Sequence, residues 1–369
     1  MRPETVTAGP TGVTEPAREF EVDTVDRIGA VDPAEWDAAV QAHRLPVFYS
    51  RAFLAAYERH PLTAIDGFCY LVVRRRGAAP SGTPRTPGPL GEPPVAVVPA
   101  YLQNRPDPLG CLTAAYPESA GQPALLSHVW HCYDAHVGGP TTSPALAAAV
   151  VSALRRRARE LGAPWCGLVN VRDGGPTATT LAGAGLPTRY LVDRFTADLD
   201  GQTDLDDFLE RRVRPRHRRN LRRYRRRAAE HGVTCAVVPI EEADLAEAAA
   251  LCRGSASRHG SEEYYPPDRF ERFLAEMGPI ARVVEIRQRG RLVSAGVCLL
   301  DAERLHCWAG GADYRVDGNF SPYYLMFTDS LDQALRLRRP VFEGGRGNGE
   351  FKLRYGLTAR PLVGCLVRS

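Results

Sequence analysis

Lysine is nearly missing from this chain. Of its 47 basic residues, 46 are arginine and one, Lys352, is lysine. Such a ratio is expected from coding biased toward arginine, as in a GC-rich genome, where a lysine needed only for solubility is written as arginine. The surviving lysine marks a position where a planar, permanently charged guanidinium replaces a compact ammonium poorly. Long apolar runs are missing too: the longest alanine- and valine-rich stretch, 145–154, is too short to cross a bilayer. The N-terminal segment MRPETVTAGPTGVTEPARE has no apolar core of the signal-peptide kind, so the expected location is the cytoplasm.

Cysteine pairing is absent as well. The nine cysteines are scattered, odd in number and free of any Cys-x-x-Cys pair, which excludes a disulfide framework and a structural zinc site. His128, His131, Cys132 and His136 crowd into HVWHCYDAH, but their spacing fits no standard metal site, and the expectation is no metal. Apolar residues at 44% and charged residues at 24% exclude a fibre and a wholly disordered chain. A length of 369 residues points to two domains.

What is present reads as alternating strands and helices. Residues 1–18 are expected to form a flexible tail, and 76–94, with six prolines and four glycines in RRGAAPSGTPRTPGPLGEPP, a disordered loop. Between them and up to about residue 195 lie strands at 20–25, 68–74, 95–102, 165–171 and 189–199, and helices at 144–161 and 177–184. Asp32-Pro33 and Ser50 read as helix starts. No repeat is visible at the level of residue identity. The second half, 196–369, opens on an arginine-rich segment in which Pro215 breaks the helix. Arg211 to Arg227 holds eleven arginines and no acid, while the remainder has 36 basic against 43 acidic residues. A mildly acidic body carrying one intense basic segment fits a polyanionic ligand. The apolar stripe Leu221, Tyr224, Ala228 leaves most of those arginines facing outward.

Three neighbouring segments carry the chemistry: WAGGADYRVDGNFSPYYLMF (308–327), LDQALRLRR (331–339) and PVFEGGRGNGEFKLRYGLTARPL (340–362). They contain Gly310-Gly311, Ser321-Pro322, a strand ending at Glu343, the turn Gly344-Gly345-Arg346-Gly347, the pair Phe351-Lys352, and Arg354-Tyr355-Gly356. Together these resemble the C-terminal domain of FemAB-like proteins, a branch of the GNAT acyltransferase superfamily. The resemblance implies an α/β fold with mixed sheets in two tandem GNAT-like domains, 19–195 and 196–369. It also implies an acyltransferase that forms an amide bond, with aminoacyl-tRNA as donor co-substrate, no resident cofactor, and an amine as acceptor.

On that resemblance, Lys352 stands at the reacting acyl end, with Phe351 packing beside the terminal adenosine or acyl group. Glu343, Glu350 and Asp313 are candidates to orient or deprotonate the amine. Arg216, Arg218, Arg219, Arg222, Arg223 and Arg226 are expected on phosphates, and Tyr323, Tyr324, Arg346, Asn348 and Arg354 on substrate. Two donors remain in view. The pyrophosphate-cradling turn of acyl-CoA enzymes, Gln/Arg-x-x-Gly-x-Gly/Ala at a helix N-terminus, is found neither after VAVVPAYLQ nor after SAGVCLL, and GGRGNG does not match it. That favours aminoacyl-tRNA over acyl-CoA. The long helical arm of many peptidoglycan-branching relatives is missing, which favours a small-metabolite amine, as in natural-product biosynthesis, over a cell-wall precursor.

Overall fold

Helix starts are set locally, as the sequence indicates. Asp32 accepts from Ala34 N, Ser50 from Phe53 N, Ser143 from Leu146 N, Asp204 from Asp207 N and Asp244 from Glu247 N, each satisfying a first-turn amide. The computed structural model describes residues 19–77, 93–138 and 143–369. The expected tail and nearly all of the expected 76–94 loop lie outside the described residues.

The first half runs β1 (Phe20–Val25), α1 (Pro33–Ala42), α2 (Arg51–Arg59), β2 (Gly67–Arg75), β3 (Ala96–Gln103), α3 (Cys111–Ala115), β4 (Ala124–Leu126), α4 (Pro144–Glu160), β5 (Trp165–Arg172), α5 (Pro176–Gly183) and β6 (Arg189–Asp198). The second runs α6 (Leu205–Arg212), α7 (Pro215–Glu230), β7 (Val233–Pro239), α8 (Leu245–Ser257), α9 (Pro267–Ala275), β8 (Ala281–Gln288), β9 (Arg291–Leu300), β10 (Arg304–Ala312), α10 (Pro322–Arg336), β11 (Val341–Glu343), α11 (Gly349–Arg354) and β12 (Thr358–Arg368). Pro215 falls where α6 has ended and α7 begins, the position where its missing N–H costs nothing.

All twelve strands join one mixed sheet in the order β1-β2-β3-β4-β5-β12-β6-β11-β10-β9-β8-β7. The two halves repeat one topology. In each, three antiparallel pairings lead to one parallel pairing, β4 with β5 and β10 with β11. Each half is then completed by a strand from the other: β12 pairs with β5, β6 pairs with β11, and β6 and β12 pair with each other. The join between the halves is therefore woven from four strands.

Helices cover both faces. On one face α1 and α2 share a single hydrophobic core with α8 and α9, where Phe53 meets Phe273 at 5.4 Å and Trp308 at 6.3 Å between ring centroids. On the other face α4 and α5 cover the first half, and α6, α7, α10 and α11 cover the second. Gly311 permits this close cover, since a Cβ there would overlap the Leu251 carbonyl of α8. Among the described residues no helix is long and apolar enough to cross a membrane.

Candidate active site

The parallel pair β10–β11 places the site. Their pairing stops at His306 and Glu343, while β10 continues to Ala312. The chain leaves β11 through Gly344 and Gly345, still tied to β6 by Gly344 N to Phe195 O and Phe195 N to Gly345 O. Gly345 has φ +72, a left-handed conformation in which a side chain is strained and in which a Cβ would also crowd the Tyr133 hydroxyl. The turn then feeds α11, which carries Phe351 and Lys352.

Lys352 is 3% exposed. Its Nζ donates to the Arg346 carbonyl at 2.7 Å and lies 5.6 Å from the centroid of the Phe195 ring. Burial lowers its pKa from the ordinary 10.5 to about 8, an effect that Cys307 and Glu343 partly oppose. The sole lysine of the chain is therefore a buried amine whose charge is adjustable near neutral pH. An exposed lysine at a strand end, the plain alternative, is not what the structure contains.

Glu343 lies beside it, 1% exposed. Arg194, from β6, forms ion pairs with Glu343 Oε2 at 2.8 Å and with Asp134 Oδ1 at 2.8 Å, and all three are buried. Burial raises the Glu343 pKa against the pull of Arg194. Burial works the same way on Asp134, but Arg194 and Arg304 outweigh it and bring that carboxyl down to about 2. Arg346 donates to the Trp130 carbonyl and stacks 4.8 Å from the Tyr133 ring centroid and 5.2 Å from that of Trp130. The site wall is thus built from both halves of the chain.

In the first half the same parallel pairing is plugged. After β4 the segment 127–136 folds back against β5: Ser127 N donates to Gly167 O, Ala135 N to Asn170 O, and Asn170 Nδ2 to the carbonyls of Val129 and Cys132. His128, His131 and His136 are held neutral by burial, at about 3, 3 and 4. His131 hydrogen-bonds the Tyr57 hydroxyl and the Tyr264 carbonyl. Among the described residues no group of three or more His, Cys, Asp or Glu is arranged to hold a metal.

The other expected residues fall into three places. Phe351 is buried in an aromatic layer with Tyr323, Tyr324, Phe327 and Tyr355, at centroid distances of 4.7 to 5.1 Å. Asn348 stands at the start of α11, beside this layer. Glu350 and Arg354 pair with each other on the exposed side of α11. Asp313 is apart from Lys352, past the end of β10, where Arg315 and then Arg291 bind it and hold its carboxyl well below the usual range.

Helix α7 lies against the aromatic layer: Tyr224 meets Tyr324 at 5.2 Å and His217 meets Tyr355 at 6.1 Å. Leu221 and Ala228 are buried and Tyr224 is half-buried, the stripe that the sequence indicates. Arg218 pairs with Glu210 and Arg226 with Glu230. Arg216, Arg219, Arg222 and Arg223 are exposed and have no carboxylate partner among the described residues. A basic surface is therefore carried by the helix that packs against the aromatic layer of α11.

On the opposite side of Arg346, Tyr264 donates to the Trp130 carbonyl that also accepts from Arg346. Tyr264 lines a cleft of about 740 Å³ whose walls come from 62–64 and 104–121 of the first half and 253–269 of the second. Arg105, Arg253 and Arg269 line it together with Asp107, Glu262 and Glu263, a lining of both charges. Arg194, Asp134, Tyr133 and Cys307 are site residues that sequence reasoning did not pick out. Their signals are long-range pairings that no local motif carries.

Comparison with known proteins gives the following. Residues 215–353 match the acetyltransferase (GNAT) domain family. The fold is similar to that of FemX, with 10% identity, 92% of this chain and 96% of that chain covered, and a TM-score of 0.60. It is also similar to a conserved protein of unknown function from Bacteroides thetaiotaomicron, with 11% identity, 94% and 100% coverage and a TM-score of 0.53. A tandem GNAT protein from the clavulanic acid biosynthesis pathway, solved without AcCoA, matches with 14% identity, 95% and 98% coverage and a TM-score of 0.50. No curated protein sequence matches the chain.

Proposed function

Because residues 215–353 form a GNAT-type acyltransferase domain and the whole chain has the FemAB-like tandem fold, we propose that this acyltransferase moves an amino acid from aminoacyl-tRNA to the amine of a small metabolite, within natural-product biosynthesis. The observation that carries the reading is one buried, charge-adjustable lysine on α11 together with an exposed arginine surface on α7, the helix packed against the same aromatic layer.

An aminoacyl ester is already activated, so no covalent nucleophile from the protein is required. The enzyme has to hold the acceptor amine near the carbonyl, take up a proton and stabilise the oxyanion. The Lys352 ammonium, desolvated and fixed by the Arg346 carbonyl, supplies the positive charge for the oxyanion. Glu343, kept in place by Arg194 and with its pKa raised by burial, is the group suited to receive the amine proton. Phe351 acts as a positioning residue, locking α11 into the aromatic layer. Arg216, Arg219, Arg222 and Arg223 bind the tRNA backbone, and the mixed-charge cleft beside Tyr264 takes the acceptor.

A second reading, an acyl-CoA-dependent N-acyltransferase, is favoured by one observation: AcCoA is named for the solved tandem GNAT protein of similar fold. Mass spectrometry of reactions supplied either with all twenty aminoacyl-tRNAs or with acyl-CoAs, each against a panel of amines, separates the two. Amide product only from charged tRNA supports the first reading. Product with release of free CoA thiol replaces it with the second.

A further inference from the structure

Cys298 on β9 and Cys307 on β10 are direct cross-strand partners in the antiparallel pairing. Such partners leave the same face of the sheet with Cβ atoms about 4.5–5.5 Å apart, and a disulfide needs about 3.5–4.5 Å. The adjustment is small, and the backbone can supply it, because the register shifts immediately after this pair, between Cys307 and Ala309. Cys298 is fully buried, whereas Cys307 is partly exposed where β10 parts from β11.

We propose that Cys298 and Cys307 form an oxidation site, in which a peroxide converts the pair to a cross-strand disulfide beside Lys352. The Cys307 thiolate attacks the peroxide O–O bond, becoming a sulfenic acid and releasing one water with the thiol proton. The Cys298 sulfur then displaces the sulfenic hydroxyl, which leaves with the Cys298 proton as a second water. Two thiols and one peroxide give one disulfide and two waters. Access assigns the order: Cys307 is the partly exposed sulfur of the pair, whereas Cys298 is fully buried. The Cys298 contact, Ser330 and the Lys352 charge favour the Cys307 thiolate against burial. The buried thiols Cys69, Cys132, Cys166, Cys252 and Cys365 are all pushed up by burial and are poor competitors. Closure also removes the negative partner that helps Lys352 keep its proton.

The test uses the full-length protein, stoichiometric hydrogen peroxide, alkylation of remaining thiols and peptide mass mapping. The expected result is a linked Cys298–Cys307 peptide that dithiothreitol reverses. In Cys298→Ser, Cys307 is expected to be trapped by dimedone as the sulfenic acid. In the oxidised wild type, the pH midpoint for acylation of the single lysine should fall below that of the reduced protein. Recovery of both cysteines alkylated, or of Cys307 linked to any other cysteine, overturns the proposal. Acyl transfer is not among these readouts, so the proposal stands or falls apart from the functional reading.

Discussion

Lys352 is where residue chemistry and fold meet, and its ionisation gives the first expectations. The ammonium is the form that stabilises the oxyanion, so the single-turnover rate should fall as pH rises through about 8. Stability should move the other way. Between about 8 and the ordinary lysine value the unfolded chain holds the proton more tightly, so the contribution of Lys352 to stability rises with pH across that window and the burial penalty is fully present below it. At pH 7, Lys352→Met should therefore slow turnover about 100- to 1000-fold while raising stability by about 1–2 kcal/mol, the burial penalty less one hydrogen bond. Chemical denaturation reads this directly, and a loss of stability would mean that the lysine is structural. Arg194 should behave in the opposite way. Arg194→Met leaves Asp134 and Glu343 buried without their cation and should cost about 3–5 kcal/mol by the same measurement. A near-neutral effect would show that the two carboxyl groups repack or protonate at little cost. The lysine was legible in the sequence because it stands alone in an arginine-biased chain. Arg194 was not, since a buried triad joining positions 134, 194 and 343 leaves no local pattern among 46 arginines.

Helix α7 presents an exposed arginine surface with no carboxylate partner among the described residues for Arg216, Arg219, Arg222 and Arg223. Replacing Arg216, Arg219, Arg222 and Arg223 by alanine should leave the melting temperature nearly unchanged, because these side chains lie off the Leu221–Ala228 stripe. The slope of log tRNA affinity against log salt should become shallower by about three, roughly 0.7–0.9 for each of four phosphates no longer neutralised. An unchanged slope assigns α7 to solvation. This helix was readable because its proline break and its narrow stripe both lie within one segment. Strands β4 and β12 and helix α11 were not recognised. β4 spans only Ala124–Leu126, α11 only Gly349–Arg354, and β12 carries Pro361 and Gly364, which break the strand pattern. Pairing on both sides, with β5 and with β6, overrides those local preferences in β12.

At the scale of the molecule, the exchanged strands β6 and β12 bind the halves into one sheet, and α1 and α2 share a core with α8 and α9. The position expected for the domain boundary, 195/196, falls inside β6. The chain should accordingly unfold in one calorimetric transition, with the van't Hoff enthalpy matching the calorimetric one. Two separated transitions would mean that the halves are energetically independent despite the exchange. The repeat of topology was expected only through the resemblance of the second half, because strand order leaves no identity signal that unrelated apolar residues would not satisfy equally well. The same join brings Arg194 and Asp134 of the first half to Glu343 of the second, so the chemistry belongs to the assembled pair. The most direct measurement of the central claim is the single-turnover rate of amide formation by Lys352→Ala, taken alongside its affinity for aminoacyl-tRNA. A fall of about 100- to 1000-fold in rate with unchanged affinity is expected from losing one preorganised charge at the oxyanion. A wild-type rate in that variant would contradict it.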